Sequence, residues 1–145
     1  YAERLMVELG FNNDPAYIFG MLNASLFRAT RIVMDIGLHC EFSIPLDAPE
    51  EFPRGQAWNK EVAISILENV IGMSPTYAKD EVYRYLGWIG QAISYKIGER
   101  TIRDIREQER KRLGSDFSLK DFHSRLLGYG HVGLGRLETL FSEPI

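Results

Sequence analysis

Residues 14–38, DPAYIFGMLNASLFRATRIVMDIGL, decide the fold. Asp14 is an N-cap residue, and Pro15 stands at the first helical position, where its missing N–H costs nothing. Apolar residues then recur at helical spacing as far as Leu38, which predicts one long helix. At about 100° per residue, Arg28, Arg31, Asp35 and His39 fall within an arc of roughly 60°. Ile32 and Ile36 flank that arc on one side and Phe27, Met34 and Leu38 on the other, with Leu22, Leu26 and Val33 further round. A helix apolar on nearly every side is expected to be buried.

Two arginines in such a helix need carboxylate partners or a wet cavity, because unpaired buried charge costs several kcal/mol. Two readings follow. Arg31 and Asp35 could form a structural network, or the polar stripe could be the wall of a cleft that meets an anionic or peptide substrate.

On the N-terminal side, residues 1–10 read as the last turns of a helix closed by Gly10. A helix that starts in full stride predicts that the chain is the C-terminal piece of something longer. On the C-terminal side, Pro45, Pro49 and Pro53 with Glu41, Asp47, Glu50 and Glu51 mark residues 40–57 as a long acidic loop. Asn59 caps a helix to Val70 or Ile71, and Ser74-Pro75 opens another. Gly87 and Gly90 predict a kink or break. The helix is expected to resume from Gln91 to Leu113, with Arg103/Glu107 and Glu107/Lys111 as i,i+4 pairs, and to close at Gly114. Ser118 to Asp121 fits a capping box, with Phe122, Leu126 and Leu127 buried behind it, and a last helix covers Leu134 to Phe141. Nothing alternates with period two. The expected fold is all-α, a multi-helical, orthogonal or bundle-like domain over residues 1–145, with the 40–57 loop as an insertion.

Composition sets outer limits. With 145 residues, 17 Lys+Arg against 20 Asp+Glu and a net charge of −3, the chain has room for one well-formed core and hardly two, and it lacks the basic patch of a nucleic-acid binder. No apolar run approaches the roughly 18 residues of a membrane span. One cysteine, Cys40, rules out an internal disulfide framework.

A second polar group, Arg84, Trp88, Gln91 and Tyr95, would share about one face if the helix ran unbroken through the glycines. It reads equally as a site or as tyrosine packing with a satisfied hydroxyl. The histidines, His39, His123 and His131, make no H-E-x-x-H pair, so no metal site is expected here. His123, beside Phe122 and Leu126, reads as a packing residue. The glycines of residues 128–135 follow a helix rather than a strand, which argues against a dinucleotide fingerprint.

Three stretches carry a resemblance. Residues 28–39, RATRIVMDIGLH, resemble the "R-A-x-R-L-V-V-D-T-G-x-H" segment of the bacterial domain-of-unknown-function family 885. Arg84-Tyr85 with residues 90–98, GQAISYKIG, resembles its "R-Y … P-G-Q-A-x-x-Y-K-x-G" segment, and Leu113-Gly114 with Asp121-Phe122-His123 and Leu127 resembles its tail. The opening Tyr1-Ala2-Glu3 matches as well. Ile89 stands where the family usually has Pro, and residues 40–57 intervene before Trp58-Asn59-Lys60-Glu61, which looks like the family's "W-S-x-E".

The family's long chains are similar to helical zinc peptidases. The resemblance therefore implies that this chain is the C-terminal portion of a larger metallopeptidase-like fold, packed on the remainder of its parent chain. Zinc is expected in the full-length parent, on an H-E-x-x-H helix upstream, and no metal ligands are expected in these residues. Tyr95 is the expected catalytic hydroxyl that stabilises an oxyanion. Arg28 and Arg31 are expected to hold the carboxylate of a peptide or small substrate, with Asp35 orienting an arginine and His39 and Gln91 adding hydrogen bonds. The chain alone is expected to be inactive. The alternative is a non-catalytic helical domain with a structural or partner-binding role. Cytoplasm and periplasm both remain open as compartments.

Overall fold

A computed structural model describes residues 1–143. In order, the α-helices are α1 (Ala2–Glu8), α2 (Pro15–His39), α3 (Lys60–Asn69), α4 (Pro75–Gly87), α5 (Ser94–Leu113), α6 (Leu119–Gly128) and α7 (Leu134–Ser142), with a 3-10 turn at Gly114–Asp116. Among the described residues there is no strand beyond an isolated bridge between Ser43 and Ala57, so the chain is all-α. No helix among them is long and apolar enough to cross a membrane.

The helix boundaries follow from their caps. The Asp14 carboxylate accepts from the Ala16 N–H at 2.8 Å, and the Asn59 side-chain oxygen from the Val62 N–H at 2.9 Å. The Ser118 hydroxyl accepts from the Asp121 N–H at 3.2 Å. Ser74 occupies the N-cap position before Pro75 but makes no side-chain capping bond. Gly10 and Gly114 lie at positive φ just past their helices.

The chain divides into two compact units. The larger, residues 2–96, packs α3 against α4 and both against α2. Its core holds Met34, Val62, Ala63, Ile66, Leu67, Ala78, Val82 and Tyr85. The 40–57 loop is stapled to itself by Ile44 N–H to Gln56 O and Gly55 N–H to Ile44 O, each 2.8 Å, and it buries Ile44 in the same core. Trp58, just past the loop, lies so close over Gly37 that a Cβ there would sit 2.4 Å from the indole. That contact explains a glycine inside a helix.

The smaller unit, Tyr1 with the described residues 97–143, has its own core of Ile105, Phe122, Leu137 and Phe141, a second core where the length of the chain predicts hardly more than one. Arg125 joins α6 to the end of α7, donating to the Leu140 carbonyl at 2.6 Å and the Glu143 carbonyl at 3.3 Å. His123 accepts or donates at 2.8 Å with the Tyr1 hydroxyl and meets the Phe122 ring edge-on. It is a packing residue, as its setting predicts.

Four expectations about the helices need correction. Leu127 is not buried behind the Ser118 cap with Phe122: it is 78% exposed on the outer face of α6. The helix does not resume at Gln91: α4 ends at Gly87, and α5 starts at Ser94 after a turn with Gly90 at φ 77°. Arg84, Trp88, Gln91 and Tyr95 therefore do not share a continuous helix face. Within α5, Glu107 pairs with Arg106 rather than with Arg103 or Lys111, and Arg100–Asp104 and Arg112–Glu109 pair as well. Finally, α2 is not covered on every side: Phe19, Leu22, Leu26, Val33 and Ile36 are exposed. Its apolar pattern wraps the helix, but this chain packs only part of it. Part of that face borders an apolar groove of about 780 Å³ between α2 and the 40–57 loop, with Leu26, Val33, Ile36, Phe42 and Phe52 in its walls.

Candidate functional site

Of the polar stripe of α2, Arg31 and Asp35 are buried in the larger unit, whereas Arg28 and His39 are only partly covered. Arg31 is 6% exposed and Asp35 3%. The guanidinium of Arg31 sits among three aromatic rings, with its carbon 5.3 Å from the centroid of Phe27, 5.3 Å from Tyr85 and 5.1 Å from Tyr95. Phe27 comes from the preceding turn of α2, Tyr85 from α4, and Tyr95 from the first turn of α5. Tyr85 is buried, whereas Tyr95 is 55% exposed.

The Arg31 Nε and Nη2 atoms, which form the side-on fork of the guanidinium, are buried without a hydrogen-bond partner. Cation–π contact with desolvated rings is worth about 2 kcal/mol or more. Each unmade buried donor costs about 1–3 kcal/mol, and more for a charged group. The rings therefore hold the charge without satisfying the fork.

Next to this box runs a second, hydrogen-bonded group. Glu81 accepts from Arg84 at 2.7 and 3.2 Å and from the Tyr85 hydroxyl, while Arg84 Nη1 donates to the Gln91 side-chain oxygen at 2.7 Å. Burial pushes the Glu81 carboxyl up, but the hydrogen bonds from Arg84 and Tyr85, with the charges of Arg84 and Arg31, outweigh it and hold the group below the usual carboxylate range. Burial, then the bond to Glu81, raises the Tyr85 phenol, which stays protonated and locked to the carboxylate. The Glu81 hydrogen bond likewise raises Arg84. Tyr85 is thus fixed in the orientation that presents its ring to Arg31.

Asp35 does not pair with Arg31. Its Oδ2 accepts from the Gly90 N–H at 3.0 Å, and His39 Nδ1 lies 3.6 Å from its Oδ1. The same His39 nitrogen is 2.8 Å from the Asp35 carbonyl. Asp35 orients the glycine turn, not an arginine. Arg28 points elsewhere: it forms a two-bond fork to Glu3 at 2.6 and 3.1 Å, which also lowers the Glu3 carboxyl.

Of the six residues singled out in the sequence, Arg31 and Tyr95 meet face to face. Gln91 joins them through Arg84, Asp35 holds the turn that carries Gln91, His39 contacts Asp35, and Arg28 is engaged by α1. Sequence reasoning missed Glu81 as the hub. Its signal was the i,i+3 and i,i+4 spacing to Arg84 and Tyr85 on α4. Among the described residues no group of three or more His, Cys, Asp or Glu side chains could hold a metal, so these residues do not fit a zinc centre.

No curated protein and no solved structure matches the chain. The family described as "Bacterial protein of unknown function (DUF885)" matches residues 1–140. That match covers nearly the whole chain, and the chain belongs to this family.

Proposed function

We propose that the chain is the C-terminal, cleft-forming portion of a zinc-dependent, peptidase-like hydrolase. The observation that carries this reading is the meeting of Arg31 and Tyr95 around a guanidinium fork without a partner. A buried cation with unused donors beside a half-exposed phenol is an arrangement suited to an anionic substrate group. In this reading Tyr95 donates its hydroxyl to negative charge that develops on the substrate oxygen. Arg31 holds a substrate carboxylate, and Asp35, His39 and Gln91 shape the surrounding turn. Arg28 reaches substrate only by giving up Glu3. The metal belongs to an H-E-x-x-H segment outside these residues.

Tyr95→Phe tests the reading in the zinc-loaded protein that carries that segment. Loss of one such donor lowers kcat by about 10²–10³ with little change in ground-state binding. Unchanged turnover with a lowered melting temperature removes the catalytic role. The rival reading, a non-catalytic helical domain, is favoured by Asp35–Gly90 and Arg84–Gln91, which tie elements together as structural bonds do. It predicts the second outcome.

A further inference from the structure

We infer that Arg31 alone is the anion receptor of this site, that its ligand is a carboxylate joined to an apolar body, and that the Tyr95 ring is the wall that moves to admit it. The inference rests on the cleft reading above for the choice of site, but its test measures binding and needs neither metal nor turnover.

The donors of the other arginines nearby are engaged. Arg28 is forked on Glu3, and Arg84 is shared between Glu81 and Gln91. Arg31 differs. Its Nε and Nη2 are parallel donors in one plane, the geometry that matches both oxygens of a carboxylate, and neither has a partner. Its surroundings are aromatic: Phe27, Tyr85 and Tyr95. Such walls favour a flat, singly charged carboxylate with apolar substituents over a tetrahedral, more highly charged phosphate.

The fork is closed to solvent in this conformation, and two of its three walls are fixed. Phe27 belongs to the middle of a 25-residue helix, and Tyr85 is held by Glu81. Tyr95 is the second residue of α5 and more than half exposed. Rotation of its side chain uncovers the guanidinium without breaking any hydrogen bond that the rest of the cluster makes.

The experiment follows the Arg31 Nε–H resonance by proton–nitrogen NMR while N-acetyl-leucine is added to the protein. N-acetyl-leucinamide, its neutral analogue, and inorganic phosphate are run in parallel. The expected result is a saturable shift with the carboxylate in the millimolar range, and none with the amide. Arg31→Lys keeps the charge, loses the fork and weakens binding at least tenfold. Tyr95→Ala, at an exposed position, leaves the fold intact and speeds association.

An absence of any shift in both the native protein and Tyr95→Ala overturns the receptor and leaves Arg31 as a structural cation among rings. Equal binding of amide or of phosphate overturns the ligand class. An unchanged or slower association rate in Tyr95→Ala overturns the moving wall. Carboxylate binding together with unaltered turnover in Tyr95→Phe would leave the receptor standing and remove the peptidase reading instead.

Discussion

The Asp35 carboxylate on α2 accepts a hydrogen bond from the backbone N–H of Gly90, 55 residues further along the chain, at 3.0 Å. The bond fixes the turn between α4 and α5, and that turn carries Gln91 and leads into Tyr95. Asp35 is buried, so its removal leaves the Gly90 N–H without its acceptor. Asp35→Ala is expected to destabilise the protein by about 1–3 kcal/mol. Asp35→Asn keeps an acceptor oxygen, loses the charge and is expected to cost less. Thermal unfolding of both variants measures this. Equal melting temperatures for Asp35→Ala and the native protein would show that the contact contributes nothing.

Gly37 sets two effects against each other. Replacing a helical glycine by alanine gains about 1 kcal/mol of backbone entropy. The new methyl, however, would stand 2.4 Å from Trp58 ring atoms, and the whole indole would have to shift. Overpacking of that kind costs about 1–3 kcal/mol. Gly37→Ala is therefore expected to be destabilising. In a Trp58→Ala background the same change should turn stabilising. A double-mutant cycle by chemical denaturation reads the reversal, and additive effects would refute the clash.

Much of this architecture was legible in the sequence, and the exceptions have identifiable causes. Asp14, Asn59 and Ser118 announced their helices because capping is local chemistry. The break at Gly87–Gly90 was legible as a break but not in its extent. Whether a chain with two glycines bends or unwinds depends on tertiary bonds such as Asp35 to Gly90, which no local pattern encodes. Arg31 and Asp35 were readable as buried from their helix face. Their failure to pair was not, since it depends on which groups α4 and the turn bring to them. The exposed apolar stripe of α2 shows the limit of periodicity: it reports which side of a helix seeks burial, not whether this chain provides the cover.

The metal prediction follows from the scatter of ligands. His39, His123 and His131 lie on different elements, and the described residues contain no cluster of three metal-ligating side chains. The 145-residue chain is therefore expected to take up no zinc at stoichiometric level. Calorimetric titration followed by elemental analysis tests this. One equivalent retained through dialysis would contradict the placement of the metal ligands outside these residues.

The acid limb of stability should run through Glu81. Its carboxyl titrates below the ordinary value of 4.5 in the folded chain, since the bonds from Arg84 and Tyr85 outweigh the opposing effect of burial. The sign follows from linkage. A depressed folded-state pKa means the unfolded chain binds its proton first as pH falls. The stabilisation is then present in full above about 4.5, the unfolded value, and is lost as pH drops through the folded value. Glu81→Gln removes the titrating group while keeping one acceptor for Arg84. Its melting temperature should lie below that of the native protein at pH 7, and the two should converge toward pH 3. Glu3 and Glu109 are also depressed, by hydrogen bonds from Arg28 and Arg112 respectively. The native protein and the variant should therefore both keep some acid sensitivity, with Glu81→Gln removing only the part that belongs to the Tyr85–Arg84 hub. If the difference between Glu81→Gln and the native protein stays constant from pH 7 to pH 3, the carboxylate is not the group that holds Tyr85 and Arg84 in place, and the fixed wall of the Arg31 box needs another explanation.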